Sequence, residues 1–169
     1  MVETPARLMT RPYVTHLHRA EDDATVASIQ ACVESHLQAL GLNYGYVPRL
    51  DGFLVVDEED VGILISVLPQ SEHLESNPAM ITLLAPLVAD VYHPARPVWH
   101  RLAELEAGSP LLKLGFEPRR GRIAAAIGLL ADEITADQIA SAARVLWGTA
   151  QHTGPLIRDF GGRPIEPVR

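Results

Sequence analysis

The ten residues Arg122–Ala131, "RIAAAIGLLA", admit two readings, and the choice between them sets the fold class. Alanine favours helix, and Ile123, Ile127 and Leu130 fall at helical spacing. Three neighbouring signals argue for a strand. Gly128 would cost a helix about 1 kcal/mol relative to alanine. Upstream, Leu112, Leu114 and Phe116 alternate with Lys113, Gly115 and Glu117, and the turn signal "PRRG" follows. Downstream, Thr135 and Gln138 form the capping box "TADQ", with Ile134 and Ile139 flanking it as a hydrophobic staple. The helix therefore starts at Thr135, and the segment before it is a strand. Ile123, Ala125, Ile127 and Leu129 line one face of that strand. Ala124, Ala126 and Gly128 leave the other face small enough for a helix or a second subunit to approach.

The same reasoning orders the rest of the chain. Met1–Asp22 shows no period and reads as a loosely held arm. Asp22 and Asp23 offer a helix start. Val26, Ile29, Val33, Leu37 and Leu40 then form one apolar stripe, and Gly41 is placed for a left-handed cap. Phe53–Val56 and Val61–Leu68 read as an antiparallel hairpin around the polar turn "DEED", with Tyr44–Val47 as a possible short extra strand. In "AMITLLAPLVADVY", Pro86 would break a helix at a cost of about 3 kcal/mol, whereas a strand tolerates it at an edge or bulge. A strand is expected there. "PVWHRLAELEAG" reads as a short helix with the stripe Val98, Leu102 and Leu105, ended by Gly108. The last helix runs from Ala136 to His152 with Ile139, Ala143, Leu146 and Ala150 inward, and Gly154 and Pro155 stop it. The order is helix, three strands, helix, two strands, helix. This is an α+β plan with a five-stranded antiparallel sheet, formed by one domain over residues 23–162 and followed by a short tail, 163–169.

Chemistry-bearing patterns are sparse. There is no phosphate-binding loop, no nucleophile elbow and no "HExxH". Cys32 stands alone, which excludes an internal disulfide, and it reads as a small buried hydrophobe. Of the histidines, His16 and His18 fall in the arm, His93 and His100 straddle a helix start, and His36 and His152 suit last helical turns. Asp57–Asp60 lacks the spacing of a calcium loop and reads as a solvated turn. No catalytic, cofactor or metal site is expected. The net charge of -7 disfavours nucleic acid and anionic membranes. Without a long apolar run or a signal-peptide pattern, a soluble, cytoplasmic protein is expected.

The most informative pattern is apolar surplus. Val55, Ile63, Ile65 and Val67 supply one face of the hairpin, and Leu54, Val56, Leu64 and Leu68 supply the other. Helices of the same chain can cover one face. The other is covered by a further helix, a second subunit or a bound peptide. Leu54, Val56, Leu64, Leu68, Ala124, Ala126 and Gly128 are the candidate partner or dimer interface. The competing reading is a small ligand-binding protein or enzyme with a pocket between sheet and helices, using His93, His100 or Glu117.

"ITLLAPLVADV", "PVWHRLAELEAGSPLLKLGFE", "GRIAAAIGLLADEITADQIASAARVLWGTAQ" and "FGG" together resemble YbjN-like proteins and type III secretion chaperones of the CesT type, in their actinobacterial form. The resemblance covers roughly Asp51 to Gly162. It implies the helix–sheet fold above and a non-enzymatic homodimer that binds segments of a client protein or peptide. Relatives often carry asparagines in the middle helix, as "LNxLN". Ala103 and Glu106 occupy those places here, and no functional residue transfers.

Overall fold

The computed structural model describes residues 20–68, 79–91, 97–108 and 111–166. Most of the expected arm (1–19), the segment 69–78, and the residues His16, His18, His73 and His93 lie outside the described residues. The first helix, α1, runs Ala20–Ala39, so Asp22 and Asp23 fall inside it and do not start it. Helix ends are weakly encoded, and the apolar stripe alone does not mark them. Its other end follows the sequence. Gly41 adopts φ +65°, the N–H of Gly41 donates to the Gln38 carbonyl, and that of Leu42 donates to the Leu37 carbonyl. This pair of bonds is a Schellman closure, which satisfies two orphan carbonyls.

Seven strands follow, not five: β1 (Asn43–Val47), β2 (Gly52–Val56), β3 (Gly62–Leu68), β4 (Met80–Ala89), β5 (Lys113–Glu117), β6 (Arg122–Leu130) and β7 (Arg163–Pro164). Between them lie α2 (Pro97–Ala107), α3 (Ala136–Gln151) and α4 (Gly154–Phe160). The order across the sheet is β1-β2-β3-β4-β6-β5, with β7 pairing β4, and every pairing is antiparallel. The additions come from segments too short to carry a period. β1 is five residues interrupted by Gly45, and β7 is a dipeptide. α4 arises because Pro155, read as a stop, also suits the first turn of a new helix.

Arg122–Leu130 is a strand throughout. Thr135 caps α3 as a full capping box, with the Gln138 N–H donating to Thr135 Oγ1 and the Thr135 N–H donating to Gln138 Oε1. Pro86 is accommodated as a strand proline should be. The β4–β6 register shifts between Pro86 and Val88, and on the other side β3 pairs no further along β4 than Leu84 while β7 begins at Val88.

All four helices contribute to one core. Val33 and Leu37 of α1, Leu102 of α2, Ile139, Ala143 and Leu146 of α3, and Leu156 of α4 join a single cluster. They meet Phe53, Val55, Ile63, Ile65, Val67, Ile81, Leu83, Ile123 and Ile127 from one face of the sheet. Trp99 and Phe116 add an edge-to-face contact between α2 and β5, with ring centroids 5.8 Å apart. The Arg101 guanidinium ties α2 to Asp159 of α4 at 3.1 Å. The closing "FGG" also finds its reason. Phe160 packs on the core, Gly161 ends α4 at φ +71°, and Gly162 at φ +89° lies against the Ala89 carbonyl, where a Cβ would collide.

Candidate functional site

Strand alternation sends every second side chain away from the helices. Register then assembles a second apolar surface from five strands. Leu54 lies opposite Leu64, Leu64 opposite Leu84, and Leu84 opposite Ala126. A neighbouring row pairs Leu68 with Met80 and Met80 with Leu130, and Pro86 faces Ala124. All seven residues expected at an interface (Leu54, Val56, Leu64, Leu68, Ala124, Ala126 and Gly128) therefore share one face. The structure adds Met80, Leu84 and Pro86 from β4, and Leu130. The ambiguous period of "AMITLLAPLVADVY" concealed the β4 contribution, although the alternation of Met80, Thr82, Leu84 and Pro86 was present to be read.

This outer face is not uniformly open. Leu50, in the β1–β2 turn, is 3% exposed and packs with Leu64, Val47 and Leu84 in a small cluster to which no helix contributes. The turn is shaped for the purpose. The Leu50 N–H donates to the Val47 carbonyl, and Asp51 takes φ +48°. Asp51 Oδ1 accepts from the Tyr46 hydroxyl at 2.6 Å and from Gln30 Nε2 of α1 at 2.9 Å. The opposite end of the face stays open among the described residues: Leu68 is 39% exposed and Leu130 57%. Gly128 is exposed, but a Cβ there would come 2.7 Å from Met80 Cε. The flexible end of Met80 therefore lies against the Gly128 backbone.

Among the described residues the polar candidates His100 and Glu117 do not converge, and His93 lies outside the described residues. His100 of α2 lies 3.3 Å from Glu104 and is strongly exposed. Glu117 of β5 pairs with Arg120 at 3.3 Å. Glu117 alternates with the core residue Phe116 and so points to the outer face, away from α2. Hydrogen bonds from Arg101, first to Glu104 and then to Asp159, raise the Arg101 pKa and hold that guanidinium charged. Cys32 is exposed, not buried, because it lies off the Val33–Leu37 stripe. Its Sγ is 3.5 Å from His36 Nε2, which is also 3.1 Å from the Ile134 carbonyl. In the Asp57–Asp60 turn, Asp57 Oδ1 accepts the N–H groups of Glu59 and Val61, and the side chains beyond it are exposed. Among the described residues no group of three His, Cys, Asp or Glu is placed to hold a metal ion. No described helix is long and apolar enough to cross a membrane.

Comparison with known proteins agrees with this geometry. No curated protein matches the chain. Among solved structures, a chain in the crystal structure of the ExsC–ExsE complex shares the fold, with a TM-score of 0.55 at 18% identity. The match covers 78% of this chain and 94% of that one. Residues 27–168 match the family described as "T3SS (YopN, CesT) and YbjN peptide-binding chaperone 1", a span that takes in most of α1, the whole sheet and the helices α2 to α4. A helix-backed antiparallel sheet with an apolar outer face, matched over nearly its whole length, therefore belongs to the T3SS and YbjN peptide-binding chaperone family.

Proposed function

We propose that this chain is a non-enzymatic, homodimeric peptide-binding chaperone or adaptor, and that its outer sheet face takes an apolar segment of a client protein in the cytoplasm. The observation that carries this reading is the surface itself. Leu68, Met80, Leu84 and Leu130 lie together on one sheet face, and the helices pack on the opposite one. Contiguous apolar surface of this kind marks interaction sites. The family is described as peptide-binding, and the structural neighbour was solved in a complex. The separate engagement of His100 and Glu117 on opposite sides of the sheet supports binding over catalysis, because a reacting group needs its partners within hydrogen-bond reach.

The test places a photo-cross-linking residue at Leu130 and, as a control, at Val145, which is exposed on α3 behind the sheet. Client-specific cross-links are expected from position 130 and not from 145. Equal labelling from both positions, or none from 130, would overturn the docking face. Light scattering at micromolar concentration addresses the dimer, and a strictly monomeric mass would remove that part of the reading.

A further inference from the structure

Leu50 reaches the outer face from a turn and not from a strand. Beneath it, Leu54, Leu64, Leu84 and Ala126 form a row across four neighbouring strands. Leu50 lies over Leu64 and Leu84 beside Val47, and this contact leaves it 3% exposed. The socket therefore closes round a side chain of leucine size. The foot of the turn is fixed. A Cβ on Gly52 would stand 2.5 Å from the Ile65 carbonyl oxygen, so β2 lies close against β3 there. Above that foot, the N–H groups of Leu50 and Asp51 bond within the turn, to the Val47 and Pro48 carbonyls. Pro48 and Arg49 are exposed. Asp51 takes φ +48°, a conformation that an L residue keeps only where its surroundings hold it. Its Oδ1 accepts from Tyr46 of β1 and from Gln30 of α1, so the carboxylate latches the turn to the helix layer.

Given the outer face as the client site, we infer that Leu50 is a built-in plug in it. In the free protein Leu50 fills the socket of Val47, Leu64 and Leu84. A client segment binds there by placing a branched aliphatic side chain in the socket and lifting the turn 48–51 away. Client affinity is then set by competition with the chain's own leucine. Expelling a fully buried leucine lowers the apparent affinity by about ten- to hundred-fold, because only the open fraction is competent to bind.

The probe is a fluorescein-labelled decapeptide of alternating leucine and serine, which carries no trypsin site. Its binding is read by anisotropy, and opening of the turn by trypsin cleavage after the exposed Arg49, followed by mass spectrometry. Saturating peptide is expected to speed that cleavage in the wild-type protein. Leu50→Ser is expected to bind the peptide about tenfold more tightly, and adding Leu84→Ser, in the socket wall, removes the gain. Without peptide, Asp51→Gly keeps the left-handed backbone but loses the latch, and cleavage quickens. Asp51→Asn keeps Oδ1 and is cleaved as slowly as wild type. Peptide that binds the wild-type protein without speeding cleavage, or binds Leu50→Ser no more tightly, would overturn the plug and leave the outer face as the client site. Peptide that binds neither protein would overturn both. A rise in the mass of Leu50→Ser alone by sedimentation would give the socket to a second copy and likewise overturn the plug.

Discussion

Two positions three residues apart on β6 should respond very differently to truncation. Ile127 is fully buried in the helix-covered core, opposite Leu83. Replacing a buried isoleucine by alanine costs the transfer free energy of the lost carbons plus that of the cavity left behind, about 2–5 kcal/mol. For a chain of this length each kcal/mol moves the melting temperature by about 2–4 °C, so a loss of about 3 kcal/mol lowers it by roughly 6–12 °C. Leu130 is 57% exposed on the outer face. Complete burial of a leucine side chain is worth about 1.5–3 kcal/mol, so Leu130→Thr forfeits less than half of that, about 1 kcal/mol. Threonine keeps the β-branched preference of the strand, which isolates the burial effect. Urea denaturation at two protein concentrations separates folding from association, because a dimer ties apparent stability to concentration. The Ile127→Ala loss should be independent of concentration. Any loss from Leu130→Thr beyond about 1 kcal/mol should appear only at the higher concentration. If Leu130→Thr were as damaging as Ile127→Ala at the lowest concentration, the assignment of inner and outer faces would be wrong.

Three further outcomes follow from local geometry. Thr135→Ala removes the side-chain acceptor of the α3 capping box and should cost about 0.5–2 kcal/mol by chemical denaturation, with Thr135→Ser close to neutral. Gly121 has φ +56°, and a Cβ there would meet the Val91 carbonyl oxygen at 2.6 Å, so Gly121→Ala should destabilise by more than about 1 kcal/mol, whereas Gly115→Ala, which meets nothing within 4 Å, should not. Cys32, being exposed, should react with a thiol reagent in the native protein at close to the rate seen in denaturant, and a reaction that waits for unfolding would contradict its placement.

Much of the fold was legible because its signals are local. The capping box at Thr135, the left-handed Gly41 and the proline at the β4 bulge are each decided within a few residues, and each is found where the sequence placed it. The α4 helix and β7 were not legible. Seven residues and two residues are too few to reveal a period, and their stability comes from Phe160 and Gly162 packing on β4 and the core. The buried Cys32 of the sequence reading failed for a related reason: a residue next to an apolar stripe is on either side of the boundary, and only the packed helix shows which.

The candidate surface divides in the same way. Alternation along β2, β3 and β6 determined that two apolar faces exist, because side chains of a strand point up and down with period two whatever the strand pairs with. Tertiary structure alone decided which face the helices take, how β4 completes the other, and that Leu50 folds over one end of it while Leu68 and Leu130 stay exposed at the other. Those outcomes depend on strand register and layer order, which are set by contacts between residues far apart in the chain, and no local period encodes them.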